Sequence, residues 1–129
     1  MIVVDSAAAV DALTNAPGSD ELRDRLSGEE LHAPSLLDYE FVSALRGLTL
    51  AGALSAARAQ DAFTDFEDLP IRRWPPADAL RRRAFALRHN VSAYDAAYVV
   101  LAEALDCALV TRDARLGRSS GHAVKIEVR

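Results

Sequence analysis

The chain has 129 residues, half of them hydrophobic and 26% charged, with a formal net charge of −4; these values exclude a disordered chain and, taken alone, argue against a nucleic-acid partner. This length predicts a single domain over residues 1–129, and no apolar run reaches the roughly 18 residues that span a membrane. Because Cys107 is the only cysteine and the N-terminus lacks the basic start of a signal peptide, the sequence predicts a cytoplasmic protein without disulfides.

Predicted strands and helices alternate along the chain. The β-branched run Ile2–Val4 predicts a first strand, and Ser6 is placed to cap the helix that follows it. Pro34 is placed in the first turn of a later helix, where proline is tolerated. Further strands are predicted at residues 31–33, 69–74, 107–110 and, as an edge strand, 123–128; helices are predicted at residues 6–13, 19–28, 35–48, 55–65, 78–87 and 92–105. This alternation predicts one parallel sheet with helices on both faces.

The most apolar part of the chain joins the last long helix to a short strand. Residues 96–105 contain one charged side chain, Glu103, and the strand at residues 107–110 is apolar throughout. Both elements are therefore predicted to be buried. Asp95 and Asp113 flank them on either side, and burying an ionised carboxylate is costly unless it is paired or binds a metal.

Two further carboxylates are predicted to join these aspartates. Asp5 directly follows the first strand, and Glu40 lies in the second turn of the helix after the second strand. Asp38, on the opposite edge of that helix's apolar stripe, competes with Glu40. Functional residues of an open α/β sheet gather at the carboxyl ends of its strands, so all four acids can converge there. Two carboxylates about 5 Å apart repel by roughly 3 kcal/mol at an effective dielectric constant of about 20, so a cluster of four requires a cation.

The chemistry of the donors indicates which cation. His32, His89 and His122 show no metal-ligand spacing and are predicted to be structural or surface residues. Oxygen ligands without a usable Cys or His favour Mg²⁺ or Mn²⁺ over zinc.

Each acid also has a simpler interpretation. Asp5 can be a turn or capping residue, and Asp113 can start a helical turn. Ser92 and Asp95 have the spacing of a capping box. These interpretations are independent of one another, whereas a single metal site accounts for all four acids.

Positive charge is concentrated in the second half of the chain. Residues 1–70 hold thirteen acids and four Arg, a balance of −9, whereas residues 71–129 hold six acids and eleven Arg plus Lys, a balance of +5. Ten of those eleven residues are Arg, whose planar fork suits bidentate contact with phosphate. The pattern therefore indicates either phosphate contact or a solvated helix face.

Several segments resemble those of PIN-domain ribonucleases, and most closely the toxin half of VapBC toxin–antitoxin pairs. They are Ile2–Ser6, the Glu40 helix with Ser43–Arg46, Leu87–Ala96, Leu101–Glu103 and Val110–Leu116, which spread over essentially the whole chain. The pattern Y-D-A-x-Y-V-x-L-A-E followed by T-x-D-A-R-L is specific, whereas the leading V-V-D is weak. The resemblance implies a three-layer α/β/α fold around a sheet of about five parallel strands.

The resemblance further implies an activity and its partners. It implies a homodimer, a Mg²⁺- or Mn²⁺-dependent endoribonuclease acting on structured RNA, and a small antitoxin that occludes the site and joins the toxin in repressing their operon. The acids that match the family's metal-binding set are Asp5, Glu40, Asp95 and Asp113. Thr111 matches the small hydroxyl residue that supports the site, and Ser6 is a second supporting residue, although relatives often keep another hydroxyl where this chain has Ala7 and Ala8.

The implied reaction is metal-assisted phosphodiester hydrolysis that leaves 5′-phosphate and 3′-hydroxyl ends. Asp5 and Asp95 are the main predicted ligands, while Glu40 and Asp113 complete the set or orient the attacking water. The predicted RNA contacts are Arg72, Arg73, Arg88 and Arg112.

Two other classes of protein are alternatives. A phosphoacceptor domain of the receiver type would carry paired acids after the first strand and an acceptor Asp after another. Here Ser6 follows Asp5, and the second strand ends at Ala33-Pro34. A catalytically silent PIN-like module that binds RNA or a partner is the second alternative, and the presence of all four acids argues against it.

Overall fold

The computed structural model describes residues 1–129 and contains five strands and seven helices. The strands are β1 Ile2–Val4, β2 Leu31–Pro34, β3 Ile71–Trp74, β4 Ala108–Thr111 and β5 Ile126–Val128. The helices are α1 Ser6–Leu13, α2 Asp20–Leu26, α3 Leu37–Leu50, α4 Ala56–Asp68, α5 Asp78–Ala86, α6 Ala93–Leu105 and α7 Ala114–Gly117. None of these helices combines the length and the apolar character that crossing a membrane requires. The predicted alternation of strands and helices is confirmed.

All five strands are parallel and lie in the order β3-β2-β1-β4-β5. Helix α6 packs against β1, β2 and β4 with α5 beside it, while α1 packs with α2, α3 and α4. The predicted three-layer α/β/α fold is therefore confirmed. Strands β2 and β3 lie on one side of β1, and β4 and β5 lie on the other. The carboxyl ends of β1 and β4 are therefore neighbours, with Val4 opposite Val110. This is the place where such sheets carry their functional residues.

The interior is formed by β1, β4 and α6, as their apolar sequences predict. Ile2, Val3 and Val4 are buried, and six residues of α6 are buried on several sides of the helix. A helix with this many buried residues cannot shift without disturbing its neighbours, because protein interiors are close-packed. The position of α6 therefore fixes where its first turn, with Asp95, lies at the sheet edge, although Ala93 and Tyr94 in that turn are exposed.

Two local predictions at helix starts were wrong. Asp5, not Ser6, caps α1: its extended backbone (φ −87°, ψ 173°) continues the strand, while its carboxylate accepts a hydrogen bond from the Ala8 amide. Ser6 is the first residue inside the helix. Pro34 ends β2 and does not open α3, which begins at Leu37, because the fixed φ of proline also suits extended backbone.

The edge strand β5 is shorter than predicted, and an ion pair joins it to α2. Glu127 on β5 accepts from Arg25 on α2, with 2.7 Å between Arg25 Nε and Glu127 Oε2. The Glu127 side chain is only 9% exposed, and the Arg25 hydrogen bonds lower its pKa to about 2. The ion pair therefore stabilises the folded state whenever Glu127 is ionised.

Glu127→Gln is expected to lower the free energy of unfolding at neutral pH by about 2 kcal/mol, because the variant loses a mostly buried charge pair. Since the folded-state pKa lies below the usual 4.5, the wild-type advantage is complete above pH 4.5 and disappears as the pH falls toward 2. Urea unfolding at pH 7, 4 and 3 measures the difference. An equal difference at every pH would contradict this assignment.

Candidate active site

Asp5 and Thr111 meet at the carboxyl ends of β1 and β4. The Asp5 amide donates to the Val110 carbonyl at 3.2 Å, which continues the strand pairing by one residue and sets Asp5 beside Thr111. The Thr111 hydroxyl donates to Asp5 Oδ2, and Asp5 Oδ1 accepts from the Ala8 amide at 2.9 Å. Both side chains are buried, so the Asp5 carboxylate has one orientation.

Asp113 is tied to the same threonine. Its amide donates to the Thr111 hydroxyl oxygen at 2.9 Å, so one hydroxyl connects Asp5 with the segment that carries Asp113. Asp113 Oδ1 caps the short helix α7 by accepting from the Arg115 amide at 2.8 Å. Asp113 therefore does start a helical turn, but only one of its two carboxylate oxygens is used for this. The other oxygen, Oδ2, lies 3.6 Å from the Arg115 guanidinium.

Asp95 lies in the first turn of α6 with its carboxylate directed away from the helix cap. Ser92 caps α6 by accepting from the Asp95 amide at 3.2 Å, so this half of the predicted capping box is present. The Asp95 side chain forms no hydrogen bond with the helix, and its nearest charged partner is Arg115, at 3.8 Å. One exposed guanidinium thus lies near both Asp95 and Asp113.

Glu40 reaches the site through Tyr98. The Tyr98 hydroxyl donates to Glu40 Oε1 at 2.6 Å, linking α3 to α6. Burial, the Glu40 hydrogen bond and the charges of Glu40 and Asp5 raise the pKa of Tyr98, so its hydroxyl keeps its proton. Ser6 lies close enough to the phenol to oppose that rise. Tyr98 therefore binds Glu40 directly and lies within range of the charge of Asp5.

Asp38 is separated from this cluster by its own partner. It pairs with Arg73 at 3.0 Å, and its side chain is 48% exposed. Of the two candidate acids on α3, Glu40 is therefore the one that faces the sheet edge.

Asp5 is the acid of the site whose ionised form is least favoured. Burial, followed by the neighbouring charges of Asp95 and Asp113, raises the pKa of Asp5 to about 6, while the bonds from Thr111 and Ala8 oppose the rise. The three aspartates thus interact through space at one end of the sheet. Such mutual repulsion is what a cation between them would relieve.

The donor set fits a hard divalent cation in its chemistry. Apart from the Arg115 guanidinium, the polar side chains at this edge are carboxylates and hydroxyls, the donors that Mg²⁺ and Mn²⁺ prefer. His32 is occupied by Glu30 and by the Trp74 indole N–H, and it lies outside the cluster. No three acidic, imidazole or thiol groups in the structure lie close enough to surround one ion.

The predicted RNA-contacting arginines fall into two groups. The Arg112 guanidinium is engaged by the Asp11 carboxylate at 2.8 Å and by the carbonyls of Pro17, Gly18 and Arg129. Arg73 is paired with Asp38.

Arg72 and Arg88, in contrast, are exposed. The Arg72 guanidinium lies over the Trp74 ring, 4.2 Å from its centroid, and the Arg88 guanidinium lies over the Phe85 ring, 4.6 Å from its centroid.

Sequence reasoning missed Tyr98 and Arg115. Tyr98 is three residues after Asp95, on the same side of α6, and a tyrosine in an otherwise apolar helix requires a partner for its hydroxyl. Arg115 is two residues after Asp113, so its long side chain can reach back to the Asp113 carboxylate. Both signals lie inside the segments that carry the resemblance.

Comparison with known proteins gives the family. A model of the PIN domain matches residues 2–121. The chain is 46% identical over 116 residues to Ribonuclease VapC9 of Mycobacterium tuberculosis, covering 90% of this chain and 88% of that protein. It is 38% identical over 128 residues to Ribonuclease VapC12 of the same organism, covering 99% of this chain and 98% of that protein.

A solved structure described as a toxin–antitoxin complex from Klebsiella pneumoniae has a chain with the same fold. Its TM-score is 0.67 at 14% identity, and the match covers 98% of this chain and 95% of that chain. With the identities above and the acids at the carboxyl edge of the sheet, the conclusion is that this chain belongs to the VapC ribonucleases of the PIN-domain family.

Proposed function

We propose that this protein is a Mg²⁺- or Mn²⁺-dependent endoribonuclease that hydrolyses RNA phosphodiester bonds and acts as the toxin of a toxin–antitoxin pair. The observation that carries the proposal is the meeting of acids from separate segments at one sheet edge: the Thr111 hydroxyl bonds Asp5 and the Asp113 amide, and Asp95 and Asp113 lie beside one guanidinium. Burial and the charges of Asp95 and Asp113 also raise the pKa of Asp5, and a bound cation would favour its ionised form. The VapC relatives support ribonuclease activity.

Asp5 and Asp95 are the proposed main ligands, with Asp113 and Glu40 completing the set. A bound Mg²⁺ or Mn²⁺ would supply a Lewis acid for the scissile phosphate and for the water that attacks it. Because Asp95 and Asp113 are about one-third exposed, with side-chain exposures of 34% and 36%, both can still turn toward an ion.

The remaining polar residues position these acids. Thr111 fixes the Asp5 carboxylate and the start of the Asp113 segment through a single hydroxyl. Tyr98 holds one oxygen of Glu40 and leaves the other free to orient a water molecule. Such supporting bonds commonly change metal affinity or activity by about 10- to 100-fold. Of the predicted RNA contacts, exposed Arg72 and Arg88 are the ones that we retain.

A homodimer and an antitoxin are part of the same proposal. A groove of about 680 Å³ between α5 and α6 is lined mainly by hydrophobic residues, including Trp74, Phe85 and Tyr94. Phe85 is 68% exposed and Tyr94 is 66% exposed. Exposed apolar surface of this kind marks contact with another protein, and the toxin–antitoxin complex from Klebsiella pneumoniae supports an antitoxin as one such partner.

Asp95→Asn is expected to lower RNA cleavage by at least about 100-fold, because metal-assisted charge stabilisation contributes several kcal/mol to the transition state. The measurement is cleavage of total RNA in Mg²⁺ or Mn²⁺, with and without EDTA. Asp38→Asn is the matched control, since the sequence leaves Asp38 as the candidate that competes with Glu40, whereas in the structure its carboxylate is paired with Arg73. It should retain nearly full activity.

Thermal unfolding of the same variants provides an independent measurement. Millimolar Mg²⁺ or Mn²⁺ should raise the melting temperature of the wild type and of Asp38→Asn but change that of Asp95→Asn little. Cleavage that is equal in all lanes, EDTA included, would reject the nuclease. RNA binding without any cleavage would instead favour the silent module.

A further inference from the structure

A second pocket, which we call the Arg88–Arg118 pocket, adjoins Asp95. Its volume is about 590 Å³, and only two of its eleven lining residues are hydrophobic. One wall is the segment that joins α5 to α6, with Arg88 and Asn90, and the other is the segment around and after α7, with Arg115 and Arg118. A volume of several hundred Å³ is typical of ligand sites. Because Asp95 is in its lining, the pocket opens directly beside the proposed metal site.

The lining carries an excess of positive charge that the protein itself does not neutralise. The lining holds three guanidinium groups and a single carboxylate, that of Asp95, and only Arg115 among the three lies near a second acid, Asp113. Arg88 and Arg118 are exposed and form no ion pair, in contrast to Arg73, Arg83 and Arg112, whose acidic partners are within 3.1 Å. Unpaired arginines that meet at one concave surface attract anions, and their planar forks match phosphate oxygens.

The two walls are fastened to each other. The Asn90 side-chain amide donates to the Ser120 hydroxyl at 3.2 Å. Gly121 follows with φ of +88°, and a Cβ atom added there would lie 2.9 Å from Asn90 Cγ. A residue with a side chain there would be strained by its positive φ and would displace the Asn90 amide. The glycine therefore leaves room for the Asn90–Ser120 bond that joins the two walls.

We propose that the Arg88–Arg118 pocket binds a phosphate group of the RNA strand next to the bond that is cut. This inference rests on the proposed ribonuclease function and adds the residues that hold the substrate backbone. Arg88 and Arg118 contact the phosphate from opposite walls. Arg115, which lies near Asp95 and Asp113, adds charge beside the acids.

RNA fits this pocket better than a small anionic metabolite or an acidic peptide. Asp95 belongs both to the pocket lining and to the proposed metal site, so an occupant that is cut at that site must extend past Asp95, as a nucleic-acid strand does. Apart from the His89 imidazole, the lining offers guanidinium, hydroxyl and amide groups and no Phe, Tyr or Trp ring on which a base could stack. It is therefore suited to the backbone and not to base recognition, which predicts binding that depends little on sequence.

Arg88→Gln and Arg118→Gln test the proposal, with Arg58→Gln as the control because Arg58 is exposed, unpaired and located on α4. Cleavage of a mixed-sequence RNA in Mn²⁺ is measured at several salt concentrations. Each pocket variant should lower kcat/KM by about tenfold and leave kcat at saturating RNA unchanged, because phosphate contacts bind substrate and transition state alike. The slope of log kcat/KM against log salt should flatten by about 0.7 for each arginine removed from a single-stranded contact.

The other outcomes are separable. All variants should melt within about 2 °C of the wild type and keep the Mn²⁺-dependent rise in melting temperature, since exposed side chains are changed. Pocket variants with the kcat/KM and salt slope of Arg58→Gln would overturn the proposal while leaving the ribonuclease function intact. A fall in kcat together with loss of the Mn²⁺ response would also overturn it, because these arginines would then act on the metal site. Failure of the wild type to cleave would instead reject the proposed function.

Discussion

Asp5→Asn is expected to make the metal-free protein more stable and to abolish its cleavage of RNA. The Asp5 carboxylate is 6% exposed and interacts unfavourably with Asp95 and Asp113. Asparagine has nearly the same shape and can still accept the hydrogen bond from the Ala8 amide, but it carries no charge. The variant therefore removes the repulsion while keeping the helix cap.

The pH dependence of that gain follows from the direction of the pKa shift. The folded-state pKa of Asp5 is about 6, above its usual 3.8. Below pH 3.8 the carboxyl group is protonated in the folded and unfolded states, and the wild type loses nothing relative to the variant. Between pH 3.8 and 6 the unfolded chain ionises while the folded protein keeps its proton, so the wild type loses stability until the loss is complete above pH 6. The full penalty is roughly 3 kcal/mol for about two pKa units, and weaker bonds to the amide reduce the net gain to about 1 to 3 kcal/mol.

Urea unfolding in EDTA at pH 4 and pH 7.5 measures this effect. The two proteins should be nearly equal at pH 4, and Asp5→Asn should be more stable at pH 7.5. Millimolar Mn²⁺ should reverse the order, because only the wild type retains the main ligand. Cleavage should fall at least about 100-fold. A variant that is less stable than the wild type at pH 7.5 in EDTA would show that Asp5 is a structural cap alone.

The sequence was sufficient to predict that the acids lie at the same edge of the sheet. Asp5 and Asp113 follow apolar runs, and parallel strands end at the same edge, so their approach required only the fold class. Strand order was not needed for that step. It was needed to know that β1 and β4 are neighbours, which is what allows one Thr111 hydroxyl to contact both acids.

The sequence was less informative wherever a long-range partner decides the role of a side chain. Arg112 was predicted to contact RNA, yet it is engaged by Asp11 and by Arg129, groups that lie 101 and 17 residues away along the chain. Contacts between residues that are far apart along the chain cannot be predicted from local sequence patterns. Ser6 was a plausible cap on propensity, but the extended backbone of Asp5 puts the carboxylate, and not the hydroxyl, at the capping position.

Thr111→Val is expected to weaken metal binding and cleavage by about 10- to 100-fold, although Thr111 touches neither metal nor RNA in our proposal. Valine replaces the hydroxyl with a methyl group of similar size, so no cavity forms. The Asp5 carboxylate loses a donor, and the Asp113 amide loses its acceptor. Since the Thr111 bond opposes the rise in the Asp5 pKa, the carboxylate should hold its proton to still higher pH and compete less well for a cation.

Thr111→Ser distinguishes loss of the hydroxyl from a change in packing. Serine keeps the hydroxyl and loses a buried methyl group, which costs about 1 kcal/mol of stability and should leave metal affinity close to that of the wild type. Titration of Mn²⁺ against cleavage rate measures the affinity of each variant. Raising Mn²⁺ should restore much of the activity of Thr111→Val, because its ligands remain present but are less well oriented. If Val and Ser variants required the same Mn²⁺ concentration, the hydroxyl bridge would have no part in holding Asp5 and Asp113 ready for the ion.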